Sequence, residues 1–213
     1  MTIPTALDSV LQETGSVGVA VDLLVIDKQS TDDTAGILSN YHDVTVIQQM
    51  GHGLANARNE AISHVTAPIV GFCDADDAWV PGSLISRMQV LHSSPQIWGV
   101  TGNVLFVDKT ESTFGASPRR QAAVEHPGFT PGAMLLRRHA FDVVGYFDES
   151  LCVGSDSDWI LRASQTLGPL THVDSVVLKK GLRFGSLSTD TETYRQEMLL
   201  IARRFISRVQ GSE

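Results

Sequence analysis

The sequence predicts an α/β protein: a mixed, mostly parallel central sheet flanked by helices. Two observations carry this. Short apolar runs rich in Val and Ile alternate with stretches of helical spacing through the first half of the chain, a pattern that implies parallel strands joined by crossover helices. The 213 residues, 42% of them hydrophobic, suffice to bury one full core.

Residues 5–13 place Ala6, Leu7, Val10 and Leu11 at helical spacing, and 19–26 (VAVDLLVI) form an apolar strand. A helix over 31–40 is expected to take Ser30 or Thr31 as its cap, ahead of Asp32 and Asp33, whose charges suit the positive helix end. A strand at 43–48, a helix at 54–65 and the strand PIVGFC follow, then a helix over 82–93 and a strand at 98–107. Residues 108–130 are polar, rich in Ser, Pro and Arg, and without periodicity, which predicts a long loop. Beyond it the pattern gives a short strand at 132–136, helices near 138–144 and 156–167, a strand at 173–178 and a C-terminal helix at 190–209. Thr189 and Glu192 make a capping box for that helix, and Tyr194, Met198, Ile201, Ala202, Phe205 and Val209 form an apolar stripe suited to a core or dimer contact.

The net charge of −8 argues against a general nucleic-acid binder, which needs a clustered excess of Lys and Arg. The basic pairs Arg119-Arg120, Arg137-Arg138 and Lys179-Lys180 read as solvated surface. No apolar stretch reaches the ~18 residues of a membrane span, and the N-terminus lacks a basic-then-apolar signal. The expectation is a cytoplasmic protein. Cys73 and Cys152 fit neither a disulfide framework nor a metal spacing, so both are expected to be reduced, Cys73 as a small core residue.

The stretch VGFCDADDAWVPGSL, Val70 to Leu84, ends an apolar run with Asp74, Asp76 and Asp77. Like charges that close repel by about 1 kcal/mol per pair even in water. They stand at the C-terminal end of a strand, where ligands bind in open α/β sheets. An Asp-x-Asp turn offers hard oxygens for Mg²⁺ or Mn²⁺, which in turn bridges nucleotide phosphates. An exposed acidic turn capping the helix near Pro81 accounts for the same letters, and spacing alone does not choose between them.

A longer resemblance does. GHGLANARNEAISHVTAPIVGFCDADDAWVPGSL (51–84), LLVIDKQSTDDTAGIL (23–38) and PGAMLLRRHAFDVVGYFDESLCVGSDSDWILRA (131–163) resemble, in order, three segments of the family-two glycosyltransferases. The resemblance implies the Rossmann-like type-A glycosyltransferase fold in a single domain over 1–213, with a nucleotide-sugar-binding half (1–107) and an acceptor-binding half (108–213) that includes the C-terminal helix. It implies a nucleoside diphosphate sugar donor, a UDP-sugar as the leading expectation, with Mn²⁺ or Mg²⁺. Carried over by position, Asp27 would hydrogen-bond the donor base, Arg58 would lie near base or phosphates, and Asp74 near the ribose. Asp76 would ligate the metal. Asp77 falls among the donor-binding residues, a helix cap being its alternative. In GSDSDW the matching general base of an inverting transfer is Asp156, with Asp158 as the nearby alternative, and either can instead cap the helix that follows.

The chain also departs from the family pattern. Only TIPT, Thr2 to Thr5, precedes the first helix, where the family has an apolar strand central to its sheet. A missing or shortened strand exposes an edge, which a homodimer would cover. Lys28 and Gln29 stand where Asp or Asn and Gly are commoner, Ser155 replaces a Glu, and Arg183 occupies roughly the place of a His that can ligate the metal. Arg cannot ligate a metal but can grip phosphate. The acceptor, a saccharide, lipid-linked or protein group, is left open. A degenerate glycosyltransferase-like binding or regulatory module is the alternative reading. A nucleotidyltransferase is a third, and it does not account for GSDSDW.

Overall fold

A computed structural model describes residues 2–108, 125–182 and 191–210. In chain order come α1 (Ile3–Val17), β1 (Leu23–Asp27), α2 (Thr34–Leu38), β2 (Val44–Gln48), α3 (Gly53–His64) and β3 (Ile69–Gly71). Next are β4 (Ala78–Trp79), α4 (Ser83–Ser93), β5 (Gly99–Asp108) and β6 (Glu125–Pro127). A 3₁₀ turn at Pro131–Ala133 leads to β7 (Leu135–Arg137), α5 (His139–Val144), α6 (Ser155–Leu167), β8 (Thr171–Leu182) and α7 (Thr191–Gln210).

The chain divides into two compact units, each drawn from several stretches. One takes Met1–Ala20, Gly71–Leu136 and Leu170–Ser186; the other takes Val21–Val70, Arg137–Pro169 and Leu187–Glu213. In the first unit β7, β5, β8 and β4 are neighbours in that order, and β6 also pairs with β5. β5 and β8 run parallel from Val100 opposite Thr171 to Asp108 opposite Leu182, while β4, β6 and β7 pair antiparallel. This sheet is mixed, as expected, with more antiparallel neighbours than the helix-strand alternation suggests: no crossover helix is described between β5, β6 and β7, and returns without one pair antiparallel. Val100, Val104, Leu135, Leu136, Val177 and Leu178 bury its core. α1 packs on β4 and α4, with the Trp79 amide donating to Ser9 Oγ at 3.0 Å. Pro4 sits in its first turn, and Gly18 ends it in the left-handed region at φ 68°, with its N–H on the Thr14 carbonyl at 3.0 Å.

In the second unit β1 and β2 pair in parallel, Leu23 opposite Val44 through Asp27 opposite Gln48, and α3 packs against β1. Phe141 stacks on Trp159 with ring centroids 4.6 Å apart, Phe147 lies 5.6 Å from Trp159, and the indole N–H donates to the Gly145 carbonyl at 2.7 Å. α2 starts later than the sequence suggests. Asp32 accepts the Thr34 N–H at 3.1 Å and Asp27 accepts the Ser30 N–H at 3.2 Å, so local turns rather than a Ser30 or Thr31 cap use these residues.

The apolar stripe expected on α7 is not a continuous seam. Ile201 is buried and Met198 and Phe205 are half-buried, but Tyr194 is 47% exposed and Ala202 is exposed as well. Polar grips hold this helix in their stead, as detailed below. Thr189 of the expected capping box lies outside the described residues, as do Arg183, residues 109–124 and the Val209 side chain.

Candidate functional site

The acidic turn follows β3 in the first unit and is closed by the Asp77 N–H donating to the Asp74 carbonyl at 2.9 Å. Asp77 is fully buried. Its Oδ2 accepts from Lys180 Nζ at 2.9 Å, its Oδ1 from the Gly181 N–H at 3.1 Å, and the same ammonium lies 3.4 Å from Asp74 Oδ2. An internal cation thus offsets the repulsion between two of the three carboxylates. Lys180 is not part of a solvated basic pair: Lys179 faces solvent, whereas Lys180 shares the strand face of buried Leu178.

Burial pushes the Asp77 carboxyl up to about 6; Lys180 opposes this and Asp74 adds to it. For Lys180, burial works against the charge, but Asp74 and Asp77 outweigh it and hold the ammonium above its ordinary range. Burial, reinforced by Asp77 and Asp74, pushes the Cys73 thiol up to about 12, so it is an inert thiol. A carboxyl whose pKa is higher in the folded chain than the ordinary 3.8 contributes stability that is complete below that value and is lost as pH rises to about 6. Asp77→Asn is therefore expected to flatten this fall, leaving stability nearly independent of pH between about 4 and 6. Urea unfolding from pH 4 to 8 measures it, and a variant weaker than the parent at pH 7.5 would show that the bond to Lys180 outweighs the burial.

Asp77 does not cap α4. Glu13 of α1 does, accepting the Gly82 and Leu84 amides at 2.9 and 2.8 Å and the Ser83 hydroxyl at 3.3 Å. Fully buried and bonded twice, Asp77 supports the turn from beneath, where the sequence had grouped it with donor-binding groups. Asp76 is half-buried in the same turn. Among the described residues no group of three or more His, Cys, Asp or Glu side chains is placed to hold a metal ion. The donor set nevertheless fits Mg²⁺ or Mn²⁺, which take one or two carboxylates and complete their shell with water and substrate phosphate.

The second unit carries the other candidates. Asp27, the last residue of β1, accepts the amide and hydroxyl of Ser30, in a turn whose Gln29 adopts the left-handed φ of 52°. Arg58 on α3 is buried and pairs with Asp156, its guanidinium also lying 5.8 Å from the Phe147 ring centroid. Asp156 is the second residue of α6 and Asp158 the fourth; neither caps it, since Gly154 stands at the N-cap. The two carboxylates face different surroundings. The Asp158 side chain is 3% exposed and bonds Arg162 Nε at 2.7 Å, while that guanidinium donates to the Val144 and Tyr146 carbonyls at 2.7 Å each. The Asp156 side chain is 20% exposed. Asp158 is thus a structural tie between α6 and the end of α5, and Asp156 is the more exposed of the two carboxylates.

Lys180, Glu13 and Glu197, which enters below, escaped the sequence reading. Lys180 falls on the inward side of a period-two pattern, and Glu13 falls three residues after Val10 on the apolar face of α1. A charge on an inward face was the available signal.

Residues 2–145 match the family described as Glycosyl transferase family 2. The chain is 29% identical over 235 aligned residues to the succinoglycan biosynthesis protein ExoU of Rhizobium meliloti (strain 1021), covering 96% of this chain and 65% of that protein. Among solved structures, S. aureus TarS 1–349 in complex with UDP-GlcNAc aligns with a TM-score of 0.70 at 18% identity, over 94% of this chain and 62% of that one. The mannosyltransferase PcManGT from Pyrobaculum calidifontis, in complex with GDP-Man and Mn²⁺, aligns with a TM-score of 0.69 at 17% identity, over 96% and 60%. The chain spans less than two thirds of the length of each of these proteins.

Proposed function

The chain belongs to glycosyl transferase family 2 and has the α/β type-A glycosyltransferase fold, and we propose that it moves a sugar from a nucleoside diphosphate donor to a saccharide acceptor with Asp156 as general base. The contrast between Asp156 and Asp158 carries this reading. One carboxylate of GSDSDW is reachable and oriented by a buried arginine, and the other is locked into the helix that presents it.

In the proposed reaction Asp27 receives a donor-base N–H, and Asp74 lies toward the ribose. Asp76 would hold Mn²⁺ or Mg²⁺, which when bound offsets charge developing on the leaving nucleoside diphosphate. Lys180 keeps the turn compact, so that Asp76 is presented on a framework whose internal repulsion is already offset. Asp156 takes the proton of the acceptor hydroxyl as its oxygen bonds the anomeric carbon; the bond from that carbon to the diphosphate oxygen breaks on the opposite face, and the configuration inverts. Residues 1–107 serve the donor and 108–213 the acceptor in this scheme. A UDP-sugar is the first candidate donor, and a growing polysaccharide, as the name of the Rhizobium relative suggests, the first candidate acceptor. No helix among the described residues is long and apolar enough to cross a membrane. A second reading, a domain that binds nucleotide without turnover, draws on Lys180, which already occupies two of the three carboxylates.

A thermal-shift titration with UDP, GDP, CDP and dTDP, each with and without Mn²⁺, tests the donor site beside Asp76→Asn. Ligand at a hundredfold excess over its Kd adds about 2.7 kcal/mol of apparent stability. The expected result is a Mn²⁺-dependent shift with UDP that Asp76→Asn abolishes. No shift with any nucleotide would overturn the donor reading.

A further inference from the structure

Asp156 is held at its carboxylate by Arg58, but the backbone that carries it is held from another side. The Cys152, Val153 and Gly154 amides, the last three before α6, all donate to the single carboxylate of Glu197 on α7, at 2.7, 2.9 and 2.7 Å. We propose that Glu197 is a positioning residue for the transfer, fixing the start of α6 so that Asp156 meets the acceptor hydroxyl. The inference rests on Asp156 being the base.

Helix N-termini leave amides without intrahelical partners and carry partial positive charge, and a carboxylate satisfies both. Bonds from amides to an ionised acceptor are roughly twice as strong as neutral ones. Three of them on one anion, reached from more than 40 residues along the chain, fix the turn in position and angle. Asp156 lies two residues beyond Gly154, whose carbonyl accepts the Asp158 N–H at 2.9 Å in the first turn of the helix, so movement of Gly154 moves the base.

The packing leaves the turn no room to retreat. A Cβ on Gly154 would meet Met198 Cε and Ile201 Cδ1 at 2.8 Å and Glu197 Oε2 at 3.2 Å, so the backbone lies directly against α7. Seven residues after Glu197, on the same helix face, Arg204 pairs with Asp148 at 2.8 Å, near the start of the segment that leads to Gly154. On α3, next to Arg58, Asn59 exchanges bonds with the Phe147 amide and carbonyl at 2.9 and 3.0 Å. Of the two α7 tethers on the segment 147–154, Arg204 meets its far end, which Asn59 already holds at Phe147, and Glu197 alone grips the end from which Asp156 follows. Glu197 lies beyond residues 2–145 and has no counterpart among the matched motifs.

The test uses the full chain and hydrolysis of UDP-glucose in Mn²⁺, with water standing as acceptor. Glu197→Gln has one acceptor oxygen for three amides and no charge. It is expected to lower kcat by about 10- to 100-fold, the usual penalty of a misplaced reacting group, with KM and UDP affinity unchanged and hydrogen exchange at 152–154 accelerated. Glu197→Asp keeps the charge with a shorter reach; it should fall between the two and serves if the Gln variant folds poorly. Arg204→Ala removes the other α7 tether without touching the three amides and should leave kcat within about threefold. Parental kcat in Glu197→Gln despite faster exchange would overturn the proposal, as would an equal loss in Arg204→Ala, which would indicate general loosening. Asp156→Asn is run alongside: if it retains activity, the base assignment fails and this inference with it; if it is inactive while both Glu197 variants are fully active, the positioning role alone fails.

Discussion

Asp156→Asn is expected to bind UDP and Mn²⁺ as the parent does while turning over roughly 10²- to 10⁴-fold more slowly, the span that a positioned general base is worth. The substitution keeps the shape of the side chain and removes its capacity to accept a proton. It also removes the anionic partner of Arg58, whose side chain is almost fully buried. Breaking a buried pair from one side destabilises by about 3–5 kcal/mol, because the buried guanidinium loses one of its charged contacts. Rate alone is therefore an insufficient readout. Nucleotide binding measured by thermal shift at the assay temperature separates loss of the base from loss of the fold. Parental turnover in the variant would remove Asp156 from the mechanism, since the neighbouring Asp158 is committed to Arg162 and sealed from solvent.

What was legible in the sequence were the elements with a clear period. β1, β2, α3, α4, β5 and α6 lie where alternation or helical spacing puts them, within a few residues. β4 is two residues long and carries no period, so it becomes visible only through its pairing with Lys179 and Leu178 of β8. β8 outruns the expected 173–178 at both ends, from Thr171 to Leu182, because β5 runs beside it and supplies ladder partners that local composition does not reveal. The site was legible as residue types and order, and much less as pairs. That three adjoining aspartates need positive charge follows from electrostatics; that part of it is a lysine more than 100 residues away does not. Arg58 and Asp156 were singled out for separate tasks, and their contact across 98 positions is a product of the fold. The turn after Asp27 shows the converse. Gln29 is visible as a departure where glycine is common in the family, and the structure shows what it entails: a left-handed φ of 52°, unfavourable by about 1 kcal/mol for a residue with a Cβ.

Glu13→Ala is expected to be the most damaging single change to the first unit, lowering stability by about 3–5 kcal/mol out of a total that for most domains is only about 5–15. Glu13 is buried, and its carboxylate serves the Gly82 and Leu84 amides and the Ser83 hydroxyl at the start of α4. Deletion orphans two amides and a hydroxyl where solvent is scarce. It also removes the anion that supports Arg87, whose guanidinium is fully buried 4.7 Å above the Trp79 ring, with Nε on the Ser83 carbonyl at 2.9 Å. Burial already pulls that guanidinium down to about 9, with Glu13 the larger of the two opposing influences. Glu13→Gln keeps the length and one acceptor oxygen, and should lose less than half as much. Urea midpoints of the two variants against the parent measure the difference. A loss below about 1 kcal/mol in Glu13→Ala would mean that water satisfies the start of α4. In the expected case α1 anchors the helix that follows the acidic turn, and the carboxylate of Glu13 is the link between them.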